Sequence, residues 1–240
     1  MRLFLPGIGG EHKRQSTDMC GRFALKENPQ HLAEHFEAGG EVEFKPSYNI
    51  APSSRIVTVI ADESNVRHLK TMRWGLIPSW AKDPSIGNKL ANARGETVAE
   101  KPSFRSAFRT RRCLIPASGF YEWKTEAGKK NPWFISYKSG DPLAMAGLWE
   151  VWRDSDGEII ETCCIITTEP NAVMEPIHDR MPVLLDPDQW TVWLSPNERK
   201  TDSVLSMIKP HEADGMRAWP VTRELNRVGQ RDDEGLLKPY

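Results

Sequence analysis

Cys113-Leu114-Ile115-Pro116-Ala117-Ser118-Gly119-Phe120-Tyr121-Glu122-Trp123-Lys124 is the stretch on which the fold turns. Two short runs of apolar and aromatic residues, Cys113 to Ile115 and Gly119 to Lys124, are too short for helices and read as strands. Downstream, Trp133 to Tyr137, Leu143 to Trp152 and Ile159 to Thr168 read as three more, separated by Gly, Asp and Ser turn residues. Upstream, Cys20 to Leu25 alternates weakly and reads as a strand. Arg55 to Ile60 and Val66 to Trp74 form a hairpin around Asp62-Glu63-Ser64-Asn65.

Helices are few. Asn28-Pro29 supplies a cap and a first-turn proline; Leu32 and Phe36 then share a face, and Gly39-Gly40 ends the helix. Lys101, Arg105 and Arg109 recur every four residues with Phe104 and Phe108 in the neighbouring row, which predicts a helix over Lys101 to Arg109. Pro170 to Met174 reads as a helical turn, and Gln189 to Leu194 and Asp202 to Ile208 as short helices. Pro46 to Pro52 and Ala81 to Gly87 read as loops, and the polar chain after Trp219 is expected to fray. The sum is an α+β protein, a largely antiparallel, barrel-like β core with peripheral helices. With no internal repeat or low-complexity linker, residues 19–240 are expected to form a single domain, preceded by a leader of residues 1–18.

Composition narrows the function. With 240 residues, 39% hydrophobic and 27% charged, the chain is long enough to bury a sizeable core. A net charge of −1 means that any nucleic-acid binding depends on local clustering of cations. Four cysteines are too few for a disulfide scaffold, and Cys163-Cys164 lacks zinc-type spacing, so a reducing, cytoplasmic setting with no metal is expected. No stretch reaches the apolar length of a membrane span. Lys13 and Arg14 follow the apolar part of Met1 to Gly10 instead of preceding it, the wrong order for a signal peptide. A start codon assigned too early, a tag or a propeptide explains the leader, the first being preferred.

Four residues are candidates for chemistry. If the chain starts at Met19 and that Met is removed, Cys20 is N-terminal and carries an α-amine beside a thiol. An α-amine titrates near ~7.7–8.0 and a thiol near ~8.5, so the amine is partly neutral at pH 7 while the thiol needs a base or a cation. Arg22, two residues on, lies on the same face of an extended strand. The ordinary alternative for Cys20 is a buried core cysteine. Glu122 sits among bulky aromatics that would desolvate it and raise its pKa; alternatively it is an exposed rim carboxylate. His178 offers an imidazole that relays protons near neutrality, or a structural histidine, and Arg180 beside it offers a fork for a phosphate. Asn92 is a donor and acceptor for a sugar hydroxyl or the terminal amine, or a turn residue, and Arg94 is a candidate phosphate contact. Lys101, Arg105, Arg109, Arg111 and Arg112 form either a phosphate track or a solvated face. Trp74 and Phe44 are candidates for base stacking or for the core.

Met19-Cys20-Gly21-Arg22-Phe23, Asn92-Ala93-Arg94, Gly119-Phe120-Tyr121-Glu122-Trp123 and His178-Asp179-Arg180-Met181-Pro182, in that order, resemble the SRAP family, the SOS response-associated peptidase proteins, which act on abasic sites in DNA. The resemblance runs from about Met19 to about Pro220, and the segment before Met19 departs from it. It implies the same barrel-like fold, Cys20, Asn92, Glu122 and His178 as catalytic residues, and Arg22, Trp74, Arg94 and Arg180 at the DNA. The expected partner is single-stranded DNA with abasic sites. The chain is expected to act as a monomer without cofactor, cytoplasmic and at the bacterial nucleoid when bound. Two rival readings stand beside this one. A thiol protease acting on other proteins would use an internal Cys20 with His178 as its base. A noncatalytic single-stranded nucleic-acid-binding module would bind undamaged strands equally and never crosslink.

Overall fold

A computed structural model describes residues 20–199, 201–227 and 229–240. The expectations for residues 1–18 and for Met19 lie outside the described residues. In chain order the elements are β1 (Arg22–Leu25), α1 (Pro29–Phe36), β2 (Ser47–Ile50), β3 (Arg55–Ala61), β4 (Arg67–Trp74), β5 (Asn92–Arg94), α2 (Arg105–Thr110), β6 (Arg112–Ala117), β7 (Gly119–Glu126), β8 (Lys129–Tyr137), β9 (Leu143–Arg153), β10 (Ile159–Thr168), β11 (Met181–Pro182), α3 (Pro187–Leu194), α4 (Thr201–Leu205) and β12 (Met216–Pro220).

Two sheets organise them. One is an antiparallel five-stranded sheet in the order β12-β8-β7-β1-β2. In the other, β10, β4, β3, β6 and β9 follow one another, and β9 pairs back onto β10. That second pairing closes a five-stranded barrel, antiparallel except where β4 meets β10, and closure removes the exposed edges of an open sheet. The barrel core is aliphatic and sulfur-rich, with Val59, Met72, Leu114, Met145, Leu148, Cys163 and Cys164 all buried. The α+β, barrel-like expectation holds.

Local chemistry explains most boundaries. The Asn28 side chain accepts from the His31 amide at 2.9 Å and Pro29 opens α1, as the cap signal requires. Three expectations need correction. Ser47–Ile50 is a strand, not a loop: it pairs only with β1, at the sheet edge, where flanking prolines are tolerated. α2 starts at Arg105, after Lys101 to Phe104 form a bend and turns, because Phe104, at φ −123°, leaves the helical range and becomes the cap. The chain after Trp219 does not fray: Val221, Leu225 and Leu236 are buried in a second apolar cluster against Tyr121 and Phe134. This C-terminal strap is pinned to β2 by Asp232, which accepts from the Ser47 hydroxyl at 2.9 Å and from the Tyr48 amide.

Candidate active site

β1 and β7 set the first half of the site. Their register places Arg22 opposite Tyr121 and Phe23 opposite Phe120. Along β7, Tyr121 turns to the second cluster and Phe120 to the barrel-side core; Glu122, one residue after Tyr121, shares the face of Phe120. Glu122 is 1% exposed, so it is no rim carboxylate. Burial raises its pKa, opposed by His178 and by hydrogen bonds from Cys20.

Cys20 lies just ahead of β1, 2% exposed. Its backbone nitrogen donates to Glu122 Oε1 at 2.6 Å. Burial, and then the Glu122 carboxylate, push its thiol well above the ordinary range. Arg180 is the cation that opposes this. The expectation that Arg22 performs this task is therefore corrected. Arg22 Nη1 donates to Asn49 Oδ1 at 2.6 Å and to the Leu225 carbonyl at 3.0 Å, and its guanidinium lies over the Trp123 ring at 5.8 Å.

The second half comes from the end of β10. Thr167 is flanked there by Arg94 of β5 on one side and Pro182 of β11 on the other. This brings Asn92-Ala93-Arg94 and the His178–Arg180 segment to one end of the barrel. His178 Nε2 stands 3.9 Å from Glu122 Oε2, an oxygen that is buried without a hydrogen-bond partner. Two groups compete for His178 Nδ1: the Arg180 amide donates to it at 3.1 Å, and Asp179 Oδ1 is 3.2 Å away. The amide is fixed and partly buried, whereas Asp179 is 86% exposed and screened by water, so the amide decides the tautomer. Nδ1 is then the acceptor, and the proton sits on Nε2, facing Glu122.

Arg180 does not offer its fork to solvent. Nη2 donates to Glu96 Oε2 at 2.9 Å and to the Thr167 carbonyl at 2.8 Å, and Nη1 donates to Glu96 Oε1. The open phosphate fork expected at Arg180 is thus closed by a carboxylate. Glu96 is reached because Gly95 lets the turn approach β10: a Cβ there would lie 3.1 Å from the Thr167 carbonyl and 2.2 Å from Ile208 Cγ2.

Two other expectations change. Trp74 has no exposed surface; its indole donates to the Ala91 carbonyl at 2.9 Å and its ring packs on Phe23 at 5.2 Å. It is a core residue and presents no face to a base. In the basic cluster, Lys101, Arg105 and Arg109 are exposed, but Arg112 is 1% exposed and donates to the carbonyls of Phe108, Arg109, Trp193, Ser195 and Glu198. Arg111 pairs with Glu150 at 2.7 Å. Arg94 is exposed.

Sequence reasoning did not single out Glu96, Asn49, Thr167 or Leu225. Only Glu96 carried a signal, its place two residues after Arg94, and spacing alone did not point it at Arg180. Among the described residues, no three His, Cys, Asp or Glu gather to hold a metal ion, and no helix is long and apolar enough to cross a membrane.

The family model described as SOS response associated peptidase (SRAP) matches residues 19–228. Abasic site processing protein YoqW of Bacillus subtilis is 48% identical over 212 residues, covering 87% of this chain and 94% of the relative. Abasic site processing protein HMCES of Xenopus tropicalis is 31% identical, covering 81% and 71%. A crystal structure of a Bacteroides thetaiotaomicron protein superposes with a TM-score of 0.84 at 26% identity, covering 92% of this chain and 100% of that one.

Proposed function

The chain belongs to the SOS response-associated peptidase family, and from that premise we propose that it captures abasic sites in single-stranded DNA through Cys20. Similar proteins carry the name abasic site processing protein, and the observation that carries the reading here is the short bond between the Cys20 nitrogen and Glu122.

In a chain beginning at Cys20 that nitrogen is an α-amine. The open-chain abasic sugar presents an aldehyde at C1′. The amine attacks it, the carbinolamine loses water, and an imine forms. The thiol then adds across the C=N bond: sulfur bonds to C1′, its proton passes to nitrogen, and a thiazolidine joins protein to DNA. Glu122 accepts the proton that the amine loses on attack and returns one to the departing hydroxyl. Burial raises its pKa, which favours a carboxyl that both takes up and returns a proton. His178 Nε2–H faces Glu122 and supplies protons during sugar opening or release. Asn92 orients the sugar, and Arg22 and Arg94 meet phosphates.

The same groups serve removal of the segment before Cys20. In the longer chain the Cys20 thiol attacks the preceding carbonyl and gives up its proton. A protonated Glu122 is placed to protonate the departing Cys20 nitrogen. Water then hydrolyses the thioester and releases the leader as a carboxylic acid. Cys20 also sits at φ 40°, a left-handed conformation that costs a non-glycine residue about 1–3 kcal/mol. Cutting the preceding bond removes that dihedral, so cleavage relieves the strain.

The test compares a protein starting at Met19-Cys20 with one that retains residues 1–18, its uncut state verified by intact mass. The first should lose Met19 and form a denaturant-stable adduct with an abasic oligonucleotide; the uncut chain should form none. Equal crosslinking by both would overturn the proposal. Cys20→Ala should abolish the stable adduct while leaving an imine that borohydride traps.

A further inference from the structure

Glu122 has a neighbour on each side. On one, Cys20, just ahead of β1, donates its backbone nitrogen to Oε1 at 2.6 Å. On the other, β8 places Trp133 directly opposite Glu122 in register. Partners in an antiparallel pair share a face of the sheet, so the indole lies beside the carboxylate. The ring is held from two directions. It packs on the barrel-side core, and Lys124 Nζ, paired with Glu126 at 2.8 Å, stands 5.6 Å from the ring centroid. Two polar atoms of this pair are buried without a hydrogen-bond partner: the Trp133 indole nitrogen, which can only donate, and Glu122 Oε2. Each unpaired group costs free energy in the folded chain. One oxygen placed between them, sharing a proton with the carboxyl, satisfies both.

We propose that Trp133 is a further catalytic residue: its indole N–H binds the C1′ oxygen of the open-chain abasic sugar and holds that oxygen against Glu122 Oε2. The proposal rests on the abasic-DNA reading, and it divides the work of the carboxyl between its two oxygens. Attack forms the bond from nitrogen to C1′ and leaves the former C=O π pair on oxygen. Nitrogen gives a proton to Oε1 while oxygen takes one from Oε2, so the carboxyl keeps its proton count and the carbinolamine is neutral. Dehydration moves the second proton of nitrogen to the same oxygen, breaks the C1′–O bond and releases water as the imine forms. The indole N–H faces the oxygen throughout, where negative charge develops. It needs no rearrangement, because the core and Lys124 fix the ring.

The test follows imine formation by the protein starting at Met19-Cys20, trapped with borohydride at timed intervals, in single turnover with saturating abasic oligonucleotide. Binding to the same oligonucleotide carrying a tetrahydrofuran abasic analogue, which has no C1′ oxygen, is the second arm. Trp133→Phe keeps a ring and removes the N–H. It should slow imine formation by about 10²-fold, the loss expected for one preorganised donor, while affinity for the analogue stays within about twofold. A merely structural Trp133 would lower analogue affinity together with rate; that result, or an unchanged rate, overturns the proposal. Should Trp133→Phe not fold, benzothienylalanine at position 133, which replaces the indole N–H by sulfur in the same ring system, makes the same comparison. No adduct from the unmodified protein would sink the abasic reading itself, whereas an adduct formed equally fast by Trp133→Phe would sink only the role of Trp133.

Discussion

The backbone nitrogen of Cys20 and the carboxylate of Glu122, 102 positions apart in sequence, meet at 2.6 Å in a buried hydrogen bond. The pair joins a group that loses protons to a group whose burial lets it hold one. If Glu122 moves protons without bonding to DNA, Glu122→Gln should slow adduct formation by about 10²–10⁴-fold and leave the mass of the final adduct unchanged. A time course from pH 5 to 9 checks this. A rate equal to that of the unmodified protein at every pH would return Glu122 to a structural role.

The same carboxylate makes stability depend on pH. Burial raises its folded-state pKa above the unfolded value, so the native state binds the proton more tightly. Below the unfolded pKa both states are protonated and nothing is lost. As pH rises from the ordinary carboxylate range through the raised value, the unfolded state ionises first and stability falls. Glu122→Gln retains an acceptor for Cys20 and removes this loss. Its melting temperature should exceed that of the unmodified protein at neutral pH, and the difference should vanish at acid pH. A constant difference across pH would contradict the assignment.

The arginines near α2 should separate sharply. Lys101, Arg105 and Arg109 are exposed, so replacing all three with Ala should change stability little, within about 0.5 kcal/mol per site. If they contact phosphates, the salt dependence of DNA binding flattens; an unchanged slope identifies a solvated face. Arg112→Ala should cost more than about 3 kcal/mol, since it strands several buried carbonyls that share one cation. Denaturant unfolding of the two variants distinguishes them.

The C-terminal strap should be integral to the fold. Leu236 is fully buried, and truncating it to Ala should cost about 2–5 kcal/mol. The strap also supplies the Leu225 carbonyl that holds Arg22. A loss below about 0.5 kcal/mol would mean that the strap is loosely attached in solution.

Sequence by itself determined the β-rich character, the α1 cap and the four motifs that meet at the site. These rest on local chemistry: turn residues, proline and asparagine at a helix start, and short apolar runs. It located Cys20, Glu122 and His178 but left each with an ordinary alternative, because burial is a property of neighbours distant in sequence. Only the tertiary structure decided that Glu122 is buried, through the pairing of β7 with β1 and β8. It removed Trp74 and Arg112 from the surface, since an indole and a guanidinium look the same in sequence whether solvent or backbone carbonyls receive their N–H groups. It turned the tail after Trp219, polar in composition, into a packed strap, because three well-spaced apolar residues find a cluster that another sheet provides. And it gave the Arg180 fork to Glu96, a partner that spacing along the chain does not reveal, because β10 brings two remote segments to the two sides of Thr167.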